Sequence, residues 1–189
     1  MSKLKKVETE EVPIKPILIT NATIKESICS YGYEINAGPC SGDQVKNRQG
    51  SQIVHEDMEK CFNALNVHLA ILDDHFMGPD YTAMDMSLDQ MADEASQYFI
   101  SGFKVKGQDE NESFTLLGGK YVKHGSISLE SPKISKTNAY PFWDELSESI
   151  AAARAEVEMY MEGKAAPKFE QTAMEFHAEE NNYFEHPID

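Results

Sequence analysis

One apolar stripe restricts the fold of this chain more than any other feature. Between residues 58 and 76, apolar side chains recur at spacings of 4, 3, 4, 3 and 4. This spacing puts them on one face of a helix, which we predict over residues 53–76 as about six turns. Burying each such side chain contributes about 1.5–3 kcal/mol, so the stripe must face a core. Its members are Met58, Phe62, Leu65, Leu69, Leu72 and Phe76.

A second stripe predicts another amphipathic helix, which ends at Gly163. Between the two stripes lies a methionine-rich stretch over residues 81–95, where Ser87 is a suitable cap for a short helix. That stretch is either core filler or an adaptable contact surface. The members of the second stripe are Phe142, Leu146, Ile150, Ala153, Val157 and Tyr160.

Elsewhere the apolar period changes to two, which is typical of strands. Residues 17–35 predict one long bent strand or two short ones, and residues 97–134 predict a three-stranded meander. In the first meander strand we group Phe99 with Phe103 and Val105, and in the second the adjacent Gly118 and Gly119 interrupt the pattern. Residues 37–50 contain three glycines and a proline and predict a loop.

These elements predict an α+β protein. Their order is strand, long helix, three-stranded meander and helix, so we expect a mostly antiparallel sheet with the two amphipathic helices packed on one face. The length of 189 residues fits a flexible tail over 1–12, a single domain over 13–164 and an acidic tail over 165–189.

The location is predicted from what the sequence lacks. The first twelve residues are charged and have no apolar stretch of the secretory type, and no run of 18 apolar residues occurs. The three cysteines have no metal-ligand spacing, which is typical of reduced thiols. We therefore expect a protein of the bacterial host cytoplasm with no contact to membranes.

The net charge of −15 is distributed unevenly. Residues 51–96 contain one lysine and ten acidic residues, whereas residues 97–136 contain six lysines and four acidic residues. The predicted helices and the C-terminal tail therefore hold the acid, and the predicted strands are neutral to slightly basic. This segregation allows a polyanion to contact the strands and a basic protein to contact the helices.

Patterns for phosphate loops, metals and nucleophiles are weak. Gly118 and Gly119 precede a lysine but open no helix. His68 and His75 are seven residues apart, about 10.5 Å along a helix, which is too far for one metal ion to bridge. His55 on the same predicted helix adds no metal motif, and Cys40 lies in a glycine-rich loop without a visible partner base. We expect no cofactor and no metal.

The basic strand region gives the most informative candidate site. Lysines that follow a nucleic-acid backbone, together with aromatic rings for the bases, are what single-strand binding requires. The alternative is that the aromatic residues face a core while the lysines face water and discourage edge pairing. The predicted nucleic-acid-binding residues are Lys46, Arg48, Lys104, Lys106, Lys120, Tyr121 and Lys123.

The acidic C-terminal tail predicts a contact with partner proteins through Tyr183, Phe184 and Glu185, or else a solvated end. With the basic strands, this tail resembles phage-type single-stranded-DNA-binding proteins, whose tails recruit replication proteins. The resemblance also includes Glu179, Glu180 and Asp189. It implies a phage or prophage protein that binds single-stranded DNA, although a long helix after the first strand departs from the five-stranded barrel of that family.

Three functional hypotheses follow. The first is a non-enzymatic protein of nucleic-acid transactions that binds single strands through its strands and the loop 37–50. The second is an inhibitor or adaptor whose acidic helices contact a basic protein. The third is an enzyme whose site cannot be recognised in the sequence. Oligomeric state is not predicted.

Overall fold

The computed structural model describes residues 16–77 and 86–167, which form one antiparallel sheet with helices on one side. The strands are β1 (Ile17–Lys25), β2 (Ile28–Ile35), β3 (Gln44–Ile53), β4 (Tyr98–Lys106), β5 (Ser113–Val122), β6 (Gly125–Glu130) and β7 (Ile134–Ser135). They are arranged in the order β3-β2-β1-β4-β5-β6, and β7 pairs with β5. The predicted α+β class is therefore confirmed.

Four α-helices complete the described fold. They are α1 (Glu56–Asn63), α2 (Asn66–Leu72), α3 (Leu88–Glu94) and α4 (Trp143–Met161). Ser87 caps α3 with a reciprocal capping box, as predicted. In α4 the predicted stripe is buried from Leu146 to Tyr160, and Phe142 is partly buried before the helix begins. None of the helices in the described ranges is long and apolar enough to cross a membrane.

The single helix predicted over residues 53–76 is wrong in its continuity. The chain forms α1, α2 and a 3₁₀ turn at His75–Met77. Between the two helices Ala64 and Leu65 keep a right-handed helical backbone, so the stripe stays in phase and all its members except the half-buried Leu72 are buried. At the start of α2, Asn66 Oδ1 accepts a hydrogen bond from the backbone N–H of Ile100 in β4 at 2.8 Å.

The region before α1 contains more sheet than predicted. Residues 17–35 form two strands, which Glu26 and Ser27 join through a two-residue turn with positive φ at both positions. The predicted loop 37–50 is wrong from Gln44 onward, where β3 begins. This strand lies at the sheet edge, pairs with β2 alone and is mostly exposed, so its pairing comes from backbone hydrogen bonds and leaves no apolar alternation.

The two faces of the sheet have different environments. We call the face that contacts the helices the inner face and the opposite one the outer face. Inner-face side chains such as Ile19, Phe103 and Leu116 are fully buried. Phe103 contacts Phe62 of α1, with ring centroids 5.6 Å apart. The core of the described protein therefore lies between the sheet and its single helical layer.

An irregularity in β4 changes which residues reach each face. The pairing of β4 with β5 shifts register between Ile100 and Gly102, so Tyr98 and Ile100 are buried on the inner face. The grouping of Phe99 with Phe103 is therefore wrong, because Phe99 lies on the outer face. A Cβ on Gly119 would come within 2.6 Å of the Phe99 ring. Gly119 thus lies inside β5 and gives that ring space, and it does not interrupt the strand.

The predicted tails fall mostly beyond the described ranges. Residues 1–12 lie outside them, and so do residues 168–189 of the acidic tail. The first residues after α4 contact the domain, since the Ala166 N–H donates to the Ile53 carbonyl at 3.0 Å and Lys164 pairs with Asp57 and Glu156. The packed part therefore continues slightly beyond residue 164.

Candidate nucleic-acid interface

An aromatic pair of one exposed and one half-buried ring marks the outer face. The rings of Phe99 in β4 and Tyr121 in β5 have centroids 4.8 Å apart, and Tyr121 is 58% exposed. Both side chains lie on the face that the described helices leave uncovered. Phe99 lies over Gly119, and Tyr121 follows two residues after Gly119 in β5. An exposed ring on a sheet is a surface on which a nucleic-acid base can stack.

Two of the predicted lysines share this face. Lys104 lies opposite Asn21 of β1 and Thr115 of β5, and Lys106 follows it at the exposed end of β4. Lys104 Nζ is 2.8 Å from Glu130 Oε1, and both side chains are about half exposed. Such an exposed ion pair contributes about 0–1 kcal/mol, so it holds the lysine only weakly.

Lys120 lies on the inner face instead. Its Nζ donates to the hydroxyl of Tyr98 at 2.9 Å and lies 4.8 Å from the centre of that ring. The Tyr98 hydroxyl in turn donates to Asp73 Oδ2 at 2.7 Å, and burial together with Asp73 raises the pKa of Tyr98. The alternation along β5 indicates this inward position, since Lys120 lies an even number of residues after the buried Phe114 and Leu116.

The remaining predicted basic residues lie at the periphery. Lys46 is exposed on the edge strand β3, where its backbone carbonyl accepts a hydrogen bond from Asn21 at 3.4 Å. Arg48 lies opposite Tyr31, whose ring contacts Tyr160 of α4, so it belongs to the helical side. Lys123 is exposed in the turn between β5 and β6. The outer face therefore contains Lys104, Lys106 and Tyr121, and Tyr121 lies six residues along β5 from Thr115, the partner of Lys104. Arg48 and Lys120 lie on the inner side of the sheet.

A cleft opens between β1 and β4. The two strands pair only through residues 21–23 and 102–104, although each has nine residues. Beyond these pairs the strands part, and the cleft between them measures about 540 Å³. We call it the β1–β4 cleft. Its polar lining includes Thr20, Asn21, Glu34, Gln44, Lys104, Lys106 and Gln108.

Arg154 of α4 also lines this cleft, from the helical side. Its Nε donates to the Ile19 carbonyl at 2.9 Å, in the part of β1 that β4 leaves unpaired. Its Nη1 donates to Glu112 Oε1 at 2.6 Å, and the Arg154 side chain is only 12% exposed. The guanidinium therefore replaces the missing sheet hydrogen bond and forms the wall of the cleft on the helical side. The sequence prediction did not include Arg154, because a lone arginine on a helix gives no signal.

The structure gives separate surroundings to His55, His68, His75 and Cys40. His68 is buried, its Nδ1 lies 2.8 Å from the Tyr140 hydroxyl, and burial lowers its pKa to about 4. His75 packs against the Tyr98 ring, and His55 caps α1 by accepting from the Asp57 N–H. Cys40 is exposed in the loop between β2 and β3. Within the described ranges, no group of three His, Cys, Asp or Glu residues could hold a metal ion.

Acidic side chains are concentrated on the helical layer. The first turn of α1 contains Glu56, Asp57 and Glu59, and that of α4 contains Asp144 and Glu145. The helical layer is therefore acidic, whereas the outer face combines Lys104 and Lys106 with the acidic Glu34 and Glu130.

The predicted tail contacts Tyr183, Phe184 and Glu185 lie outside the described residues. Comparison of the chain with protein-family models, with curated proteins and with solved structures finds no match.

Proposed function

We propose that this protein binds single-stranded nucleic acid across its outer face and acts without catalysis. The observation that supports this most strongly is the contact of the exposed Tyr121 ring with the half-buried Phe99 ring on the outer face. Core packing does not account for it, because the helices contact the other face. Stacking on such rings tolerates any base, since every base has a π-face.

The lysines provide the second requirement. Lys104 and Lys106 lie on the same face as the aromatic pair and leave their charges accessible to phosphates. The acidic helices lie on the opposite side of the sheet, and their charge repels the phosphates of a nucleic-acid strand from that side. The overall charge of −15 is therefore compatible with a polyanionic ligand that approaches from the outer face.

The test is fluorescence anisotropy with labelled oligo-dT at low salt. Tyr121→Ala should weaken binding by about 5- to 150-fold, since stacking contributes about 1–3 kcal/mol per base. The matched control is Ile127→Ala, which removes a 52% exposed side chain on the inner side of β6 and should leave affinity unchanged. Equal losses in the two variants would contradict the proposal.

The salt dependence gives a separate readout. Each neutralised phosphate of a single strand contributes about 0.7 to the slope of log K against log salt, so Lys106→Ala should reduce that slope by about this amount. Lys60→Ala on α1, whose side chain is 66% exposed, is the control and should not change it. The proposal fails if oligo-dT does not bind, or if binding does not depend on salt.

A second candidate function is contact with a basic protein through the acidic helices. The concentration of acid on one layer supports it. Asp73 is a poor choice for substitution because it accepts a hydrogen bond from the Tyr98 hydroxyl. We therefore choose the exposed Glu59 and Glu148 for substitution. Their joint change to glutamine should abolish recovery of a salt-sensitive basic partner and leave oligo-dT binding intact. If the double variant recovers the same partner, this candidate is excluded.

A further inference from the structure

The β1–β4 cleft has features that the binding of an extended strand does not require. It is about 540 Å³ in volume, within the range of pockets that hold small ligands. Lys104 and Lys106 border it, so a strand held on the outer face would pass its mouth. A base turned away from the strand can therefore enter it.

The cleft is maintained at an energetic cost. Continued pairing of β1 with β4 would close it, and Arg154 occupies the place of that pairing by donating to the Ile19 carbonyl. The Nη2 group of Arg154 is buried and has no hydrogen-bond partner among the described residues. A buried donor without an acceptor destabilises the fold. This arrangement favours a cleft that serves binding over one left by imperfect packing.

The polar groups of the cleft favour one kind of base. Glu34 is the one acidic residue of its lining, and Gln44 Nε2 donates to Glu34 Oε2 at 3.2 Å, which orients the carboxylate. Two oxygen acceptors side by side match two adjacent N–H donors. On its pairing edge guanine presents such a pair, N1–H and the 2-amino group, whereas the other bases present one donor group each. Lysine is a suitable donor to the O6 and N7 acceptors of guanine.

We infer that the β1–β4 cleft binds one guanine base of the bound strand, with the Glu34 carboxylate accepting from guanine N1–H and the 2-amino group. This inference rests on the proposed function for the approach of the strand. The ligand class is a guanine nucleotide within single-stranded nucleic acid, and the remaining bases stack or stay on the outer face.

The experiment compares labelled oligo-dT with the same oligonucleotide containing one central dG or one central dA. The dG oligonucleotide should bind about tenfold more tightly than the other two, a factor that corresponds to one carboxylate-to-base contact. Glu34→Gln should remove the preference, measured as the ratio of dG to oligo-dT affinity within the variant, because glutamine offers one acceptor in place of two. Glu26→Gln, in the exposed turn between β1 and β2, is the control and should keep the preference.

A titration with guanosine monophosphate separates the two claims. It should shift the side-chain amide signals of Gln44 and Gln108 in NMR spectra, and cytidine monophosphate should not. If oligo-dT binds with no preference for dG, or if Glu34→Gln keeps the preference, this inference is overturned and the proposed function stands. If the monophosphate binds at the cleft but no oligonucleotide binds, the proposed function fails and the cleft remains a guanine site. If neither binds, both fail.

Discussion

The inner and outer faces belong to the same strands, but their aromatic residues differ in burial and in what they contact. On the inner face Phe103 and Phe114 are packed against helices and at most 1% exposed. On the outer face of the same two strands Phe99 and Tyr121 contact each other and remain accessible. Burial explains the first pair and leaves the second unexplained. An aromatic residue on a strand therefore predicts function only when its face is known.

The largest expected difference between the faces is in stability. Phe103→Ala should lower the free energy of unfolding by about 3–5 kcal/mol, because it leaves a cavity in the core. Phe99→Ala, four residues earlier on the outer face, should cost about 1 kcal/mol or less. Urea denaturation of both variants measures this, and equal losses would show that the outer face also belongs to a packed core.

Breaking an ion pair should also cost more unfolding free energy on the helical side of the sheet than on the outer face. Arg154→Met removes a largely buried guanidinium and leaves Glu112 and the Ile19 carbonyl without their donor, so we expect a loss of about 3 kcal/mol. Lys104→Met breaks the exposed pair with Glu130 and should cost less than about 1 kcal/mol. Denaturant midpoints give both values. A larger loss for Lys104→Met would reverse the assignment of the two faces.

Buried and exposed histidines should differ in their response to acid. His68 has a pKa of about 4 in the folded protein and an ordinary value of 6.5, so the unfolded chain alone takes up the proton between these values. Stability therefore falls as pH drops from about 6.5 to 4, by the order of 2–3 kcal/mol. His68→Gln should remove this dependence, measured as unfolding free energy at pH 7 and pH 4.5.

His124, exposed in the turn between β5 and β6, is the matched control for that measurement. His124→Gln should keep the acid response of the unmodified chain. A response that is unchanged in His68→Gln would place the acid-sensitive group elsewhere.

The smallest expected effect on stability is that of Tyr121→Ala. Its ring is 58% exposed, and substitutions at such surface sites usually stay within about 0.5 kcal/mol. The same change should weaken oligo-dT binding, as proposed above. Thermal denaturation of the variant separates the two effects, and a large loss of stability would mean that the ring has a structural role.

Much of the fold could be predicted from periodicity. The stripe of α1 and α2 faces the core as expected, because two helical residues between them keep its phase. The break itself could not be predicted, since Asn66 bonds to β4, which is distant in the chain. The edge strand β3 was missed because it has almost no apolar residues to show a period.

The candidate site was less predictable than the fold. The register shift at Gly102 turns Phe99 outward, and a glycine within a strand was the one local sign of it. The strand period placed Lys120 with Leu116, so grouping it with Tyr121 ignored a signal that was present. Arg154 donates to the Ile19 carbonyl, which is 135 residues away in the chain, and no local sequence pattern predicts such a contact.

The most direct test of the central claim is a titration of isotope-labelled protein with oligo-dT, followed by backbone NMR. We predict that the largest changes occur at Phe99, Tyr121, Lys104 and Lys106, while α1 and α4 change little. Changes concentrated on the acidic helices, or no changes at low salt, would contradict the account.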